Sequence, residues 1–147
     1  MERLVSQWSR PAALLAINLL LVMVWGFAGT GKVIDGRPGW FAEKFGGTIL
    51  AQFPGLAASF WLLTAAEVGT GILSVGALVR REFLGQRPAA WLTAALVASL
   101  FVFVQLGFGQ WLTHEFNATF QLFTYFGVTL VCLQYVQTPA PRKSPDR

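Results

Sequence analysis

The sequence predicts an all-α integral membrane protein, a four-helix bundle that forms one domain over residues 1–137. Three observations predict this class: 54% of the 147 residues are hydrophobic, only 12% are charged, and the apolar residues are concentrated in four long runs. An apolar run of about 20 residues spans the hydrocarbon core as a helix. A soluble domain of this length cannot bury so much apolar surface. Residues 138–147 are rich in proline and cations, and we expect a disordered cytoplasmic tail there.

The four runs predict helices at about residues 11–31, 57–79, 88–108 and 120–136. The first run follows Arg3 and Arg10 and ends in small residues, as the apolar segment of a signal peptide also does. That segment is usually only about 7–15 residues long, which is shorter than this run. We therefore expect an uncleaved first helix.

The cations predict how the helices are oriented. Eight arginines and lysines lie before the first helix, between the second and third, and in the tail. The first loop on the other side carries three cations, and the loop between the third and fourth helices carries none. Cytoplasmic loops carry the excess of lysine and arginine, so both termini are predicted to be cytoplasmic (N-in/C-in). Because this topology accounts for the net charge of +4, no nucleic-acid partner is expected.

The external loop between helices 1 and 2, residues 32–55, is long and amphipathic. Its large apolar residues recur at near-helical spacing; they are Trp40, Phe41, Phe45, Ile49 and Phe53. Gly46 and Gly47 interrupt the pattern, because glycine weakens a helix. We expect short amphipathic segments that act either as an interfacial anchor or as a lid over a lipid-soluble ligand.

Glu67 is the leading candidate for a functional residue, because it lies near the middle of the second run. An ionisable side chain near the bilayer centre costs at least about 2 kcal/mol and usually faces a protein interior or a cavity. Lys32 is the nearest cation, but the predicted boundaries place Glu67 about 15 Å deeper. We therefore expect Glu67 to be protonated and hydrogen-bonded to a glutamine, a threonine or a backbone carbonyl. It serves either a functional role or only to hold helices together.

Further polar side chains in the apolar runs are candidates for the same site. In the predicted topology, Thr64, Gln105 and Gln121 fall with Glu67 in the middle or outer half of the bilayer. Lys32 lies at the outer end of the first helix. These residues predict a polar site that faces the outer leaflet.

The composition excludes several redox chemistries within this chain. Cys132 is the only cysteine, so an internal dithiol–disulfide cycle is not possible. His114 is the only histidine, which excludes a bis-histidine haem held within one chain and leaves no expected metal site. A redox role would therefore need electrons from a partner protein.

Two short segments carry a resemblance to a known family. The first helix ends in FAGTGKV, residues 27–33, and the second contains AEVGTGIL, residues 66–73. With four helices and an aromatic external loop, the chain resembles the DoxX-like family of small bacterial membrane proteins. Gly29, Lys32, Glu67 and Gly71 match that family's recurring pattern. The resemblance implies a bacterial inner membrane, and characterised relatives include a subunit of a thiosulfate:quinone oxidoreductase and members associated with oxidative-stress enzymes.

Three classes of function remain open. We favour a non-autonomous accessory subunit of a quinone-linked membrane oxidoreductase, in which Glu67 exchanges a proton with a quinone bound in an outer-leaflet cavity. The residues expected to bind the quinone are Lys32, Thr64, Gln105 and Gln121. The alternatives are a scaffold or assembly factor without catalysis and a small proton-coupled transporter. The expected partners are the lipid bilayer and either a redox protein or a second copy of the chain.

Overall fold

The computed structural model describes residues 2–85 and 88–138, with side chains from residue 8 onward. This part of the chain forms five α-helices: α1 Glu2–Asp35, α2 Gly39–Phe45, α3 Leu56–Val79, α4 Ala90–Leu112 and α5 Phe116–Gln137. Two short 3-10 segments lie at Ile49–Ala51 and Glu82–Leu84. No strand occurs in these residues, so the all-α prediction is confirmed for them. Apart from Thr138, the predicted tail lies outside the described residues.

Four of the helices are long and apolar enough to cross a membrane. These spans are Trp8–Asp35, Leu56–Val79, Ala90–Leu112 and Phe116–Gln137. The chain is therefore a multi-pass membrane protein whose apolar helix faces contact lipid. The observed spans overlap the four predicted runs, but α1 and α4 each end about four residues later than predicted, and α5 begins four residues earlier.

Helices α1, α3 and α4 form the core, and α5 packs almost entirely against α4. α1 packs along α3, and α3 packs along α4. The main buried apolar cluster draws mostly on these three helices and includes Leu14, Trp25, Ala77, Leu92 and Leu96. Only 6% of the most apolar window of α5 is buried, against 28–33% for the other three spans. The fourth helix of the predicted bundle is therefore peripheral.

Polar contacts join the two described ends of the chain. Arg10 donates to the carbonyls of Val136, at 3.4 Å, and Thr138. Its guanidinium also lies over the ring of Tyr135, 5.4 Å from the centroid. The start of α1 and the end of α5 therefore lie together, at what we call the terminal end of the molecule. The opposite end, which carries α2, we call the α2 end.

Glycines set the register of α1 against α3. A Cβ on Gly29 would lie 3.0 Å from the backbone nitrogen of Val68, and one on Gly71 would lie 3.4 Å from the carbonyl carbon of Trp25. The two helices therefore run antiparallel in close contact, with Gly29 level with Val68. From this register, α3 extends about six residues, or about 9 Å, beyond the last residue of α1 at the α2 end.

The chain between α1 and α3 occupies this step. Phe41 and Phe45 of α2 are buried and pack with Phe60 of α3, and the ring centroids of Phe41 and Phe60 lie 5.4 Å apart. The other large apolar residues of the loop, Trp40, Ile49 and Phe53, are exposed. The loop thus contains short helical segments, and α2 ends at Phe45, immediately before the two glycines.

Candidate functional site

A cavity of about 500 Å³ lies at the α2 end. This volume is within the range of small-molecule sites, about 300–1,000 Å³. The walls come from the last turn of α1, from α2, from the first turns of α3 and from the last turns of α4. Most of the lining is aromatic or aliphatic and includes Trp40, Phe41, Phe45, Phe60, Leu63 and Phe108.

The cavity follows from the step between α1 and α3. Because α3 continues beyond the end of α1, the facing sides of α3 and α4 are not covered by α1 there. The aromatic side chains of α2 cover this space only in part. The loop and the offset between the ends of α1 and α3 thus create the site together.

An ion pair between Lys32 and Glu67 lies at the inner part of the cavity. The lysine Nζ is 2.5 Å from Oε1 and 2.6 Å from Oε2 of the glutamate. The Glu67 side chain is 2% exposed and the Lys32 side chain 29%. Lys32 is on the cavity wall, whereas Glu67 lies behind it. A buried carboxylate needs such a partner, because an unpaired charge in an apolar interior is very costly.

The predicted partner of Glu67 is therefore wrong. The depth predicted for Glu67 relative to Lys32 assumed that α1 and α3 reach the membrane surface at the same level. Instead, the contact of Gly29 with Val68 places Lys32 level with Ala65, only about 3 Å along the helix axis from Glu67. A lysine side chain spans that distance easily, since its charged group sits on a long flexible stem.

The structure separates the other predicted site residues. Gln105 lines the cavity, as Lys32 does. Thr64 is buried, but its hydroxyl donates to the carbonyl of Phe60 at 2.8 Å and is not part of the lining. Gln121 is exposed on α5 and also lies outside the lining. Because α5 packs mainly on α4, Gln121 is not brought to Glu67.

Two residues that the sequence analysis did not select, Lys44 and Gln110, also line the cavity. Lys44 Nζ lies 3.1 Å from Oε1 of Gln110 and 3.9 Å from Oε1 of Glu115. These contacts join α2 to the end of α4 and the beginning of α5. Gln110 was missed because the predicted third helix ended at residue 108, two residues before it.

A second buried carboxylate, Glu82, lies between α3 and α4 at the terminal end. Its oxygens accept the backbone N–H groups of Trp91 at 3.2 Å and Leu92 at 2.9 Å. Arg80 Nε lies 3.7 Å from the same carboxylate. The first N–H groups of a helix have no partner within the helix, and a negative charge beside them is favourable. Glu82 therefore caps α4. The sequence signal was a lone acidic residue in an arginine-rich connection.

The described residues contain no group of three His, Cys, Asp or Glu side chains that could hold a metal ion. Fold and site define the class as a multi-pass α-helical membrane protein with an aromatic cavity and a lysine–glutamate pair beside it. Comparisons with protein-family models, curated proteins and solved structures find no match for this chain. The resemblance to the DoxX-like family therefore stays a prediction.

Proposed function

We propose that the protein binds a lipid-soluble quinone in the cavity at the α2 end and serves as an accessory subunit of a quinone-linked membrane redox system. The observation that carries this proposal is the position of Lys32, which lies on the wall of an aromatic cavity and is held there by a buried glutamate. A bound quinone supplies two-electron, two-proton chemistry. A partner protein delivers the electrons, because this chain has one cysteine and one histidine.

The lining residues fit a flat ring that carries carbonyl oxygens. The rings of Phe41, Phe45 and Phe60 give the cavity broad apolar surfaces, against which another ring packs favourably. An ammonium group has three N–H donors, and the two oxygens of Glu67 engage Lys32 from one side. A remaining donor of Lys32 is thus available to a ligand oxygen.

Lys32 and Glu67 then act as one unit. Lys32 binds and orients the ligand oxygen, and Glu67 fixes the lysine in place. The Lys32–Glu67 pair places an exchangeable proton next to the cavity, where a general acid is needed when a ligand oxygen becomes basic. Because Glu67 is almost fully buried, bulk water competes little for it.

The distribution of cations supports the orientation that we propose. With both termini in the cytoplasm of a bacterial cell, the α2 end lies in the outer half of the inner membrane. The cavity would then receive its ligand from the outer leaflet. Labelling of single cysteines near each terminus in intact cells and in inverted vesicles tests this orientation.

A scaffold is the second candidate, and one observation favours it. The Lys32–Glu67 pair satisfies both charges without any ligand, so it would serve equally to join α1 to α3. In that case, the cavity would be only a consequence of the offset between the ends of α1 and α3.

The two candidates are separated by extracting the lipids retained by the purified protein in mild detergent and identifying them by mass spectrometry. The samples are wild type, Glu67→Gln and Glu82→Gln. The last is a matched control, because it also neutralises a buried carboxylate but lies away from the cavity. We expect wild type and Glu82→Gln to retain a quinone in stoichiometric amount and Glu67→Gln to lose it. Equal retention by all three would contradict the role of Glu67 in quinone binding, and the absence of quinone from folded wild type contradicts the proposal and favours the scaffold.

A further inference from the structure

We propose that the cavity selects a neutral ligand with two acceptor oxygens on opposite sides of a ring, using Gln105 beside Lys32 as the inner contact and Gln110 as the outer one. This inference rests on the proposed function and names the chemistry of its ligand. It assigns ligand specificity to Gln105, which was already a candidate from the sequence, and to Gln110, which was not.

The charges on the cavity wall favour a neutral ligand. Lys32 is paired with Glu67, and Lys44 lies 3.9 Å from Glu115. The remaining charged side chain of the lining is acidic, Asp35. An anionic ligand would therefore meet no uncompensated cation and would have to give up its hydration without a charge partner.

Two side-chain amides on the cavity wall have N–H groups that can donate hydrogen bonds to a ligand. Oε1 of Gln110 accepts from Lys44, which leaves the amide N–H₂ of Gln110 for a ligand. Gln105 lines the cavity, and its amide has no hydrogen bond to any residue in the described part of the chain. Together with the remaining donor of Lys32, these groups call for acceptor oxygens on the ligand.

The inner and outer contacts lie at different depths. Trp25 Nε1 donates to Ser99 Oγ at 2.8 Å, which places these residues of α1 and α4 at similar depth, and the two helices run in the same direction. Seven residues farther along each helix, Lys32 is at a depth similar to that of Leu106 and Gln105. Gln110 follows Gln105 by five residues on α4, or about 7.5 Å along the axis.

The surface between the two glutamines suits a flat ring. Gln105 and Gln110 flank the face of α4 that carries Leu106 and Gly109. The Phe45 ring covers the Gly109 end of this face, because a Cβ on Gly109 would be 3.6 Å from its Cε1 atom. A ligand ring would therefore pack against Leu106 and the Phe45 ring, with one oxygen toward Gln105 and Lys32 and the opposite oxygen toward Gln110.

The test compares a dione with a matched monoketone, 2,3-dimethyl-1,4-naphthoquinone and 2-methyl-1-tetralone. Their binding to the full chain in detergent micelles is measured by isothermal titration calorimetry. Gln105→Leu and Gln110→Leu each remove one proposed contact. Gln121→Leu is the matched control, because this glutamine is exposed on α5 and does not line the cavity.

We expect wild type to bind the dione about tenfold more tightly than the monoketone, as an additional hydrogen bond allows. Gln105→Leu and Gln110→Leu should each weaken dione binding by about five- to tenfold, and Gln121→Leu should not weaken it. Equal affinity of wild type for both compounds, or unchanged dione binding in both cavity variants, overturns the two-point recognition and leaves the proposed function standing. Failure of folded wild type to bind the dione contradicts both.

Discussion

Glu67 and Glu82 are both carboxylates with 1% of the residue exposed, yet their partners differ in kind. Glu82 accepts two backbone N–H groups that α4 holds in fixed positions. Glu67 is bound by a flexible lysine side chain that also lines a cavity. Burial is thus the same at the two sites, whereas the freedom of the partner to change its contacts is not. The partner, more than the burial, therefore marks Glu67 as the candidate for chemistry.

The largest effect on the free energy of unfolding is expected when the lysine partner of Glu67 is removed. Lys32→Met leaves Glu67 buried without a cation, and breaking a buried pair from one side costs about 3–5 kcal/mol in the free energy of unfolding. Adding Glu67→Leu should recover most of this loss, since well-packed apolar residues replace a buried pair at little cost. Unfolding titrations in detergent measure both values. If Lys32→Met were as stable as wild type, the Lys32–Glu67 pair would not be a buried ion pair.

A smaller effect is expected from moving α1 away from Glu67 without touching either charge. In Gly29→Ala the new Cβ would lie 2.9 Å from Val68 Cγ2 and 3.0 Å from Val68 N, and such overpacking costs about 1–3 kcal/mol. Gly26→Ala is the control, because nothing lies within 4 Å of its Cβ. We expect Gly29→Ala alone to lower the thermal midpoint and quinone retention. Identical behaviour of the two variants would refute the close contact.

The helix cap formed by Glu82 should contribute to stability and not to quinone retention. Glu82→Ala removes the acceptor of two N–H groups at the start of α4, and loss of a helix cap costs about 1–2 kcal/mol. Thermal unfolding in detergent measures this cost, and lipid extraction from the same preparation measures the ligand. Glu82→Ala should retain as much quinone as wild type. A folded Glu82→Ala protein without ligand would remove the distinction between the two sites.

The smallest effect is expected at the neutral pair of Trp25 and Ser99, whose coupling energy can be compared with that of Lys32 and Glu67. Trp25 and Ser99 form a buried hydrogen bond between α1 and α4. Such bonds between membrane helices average about 0.6 kcal/mol in coupling energy. A double-mutant cycle with Trp25→Phe and Ser99→Ala measures it. If this coupling equals that of Lys32 with Glu67, the ion pair has no special energetic role.

Much of the fold was predictable because a membrane demands long apolar helices. The second predicted span, residues 57–79, differs from the observed Leu56–Val79 by one residue. The burial of Glu67 was predictable for the same reason, since a lone charge within such a run must face the protein interior. The short segments of the first loop were also predictable, because two glycines interrupt an amphipathic pattern.

The contacts of the site depend on tertiary structure that a linear pattern does not contain. The partner of Glu67 follows from the register of α1 against α3, which close packing at Gly29 and Gly71 determines. The failure at Gln121 has a different cause. α5 carries large apolar residues on its exposed sides as well, so periodicity does not reveal which of its faces packs against α4.

We propose that Lys32 and Glu67 serve a ligand site and do not only join two helices. The most direct measurement is quinone retention, together with the free energy of unfolding, for the Lys32→Met/Glu67→Leu double variant. We predict a stability within about 1 kcal/mol of wild type and the loss of the retained quinone. A double variant that is equally stable and still carries stoichiometric quinone would contradict the account and leave the pair with a structural role.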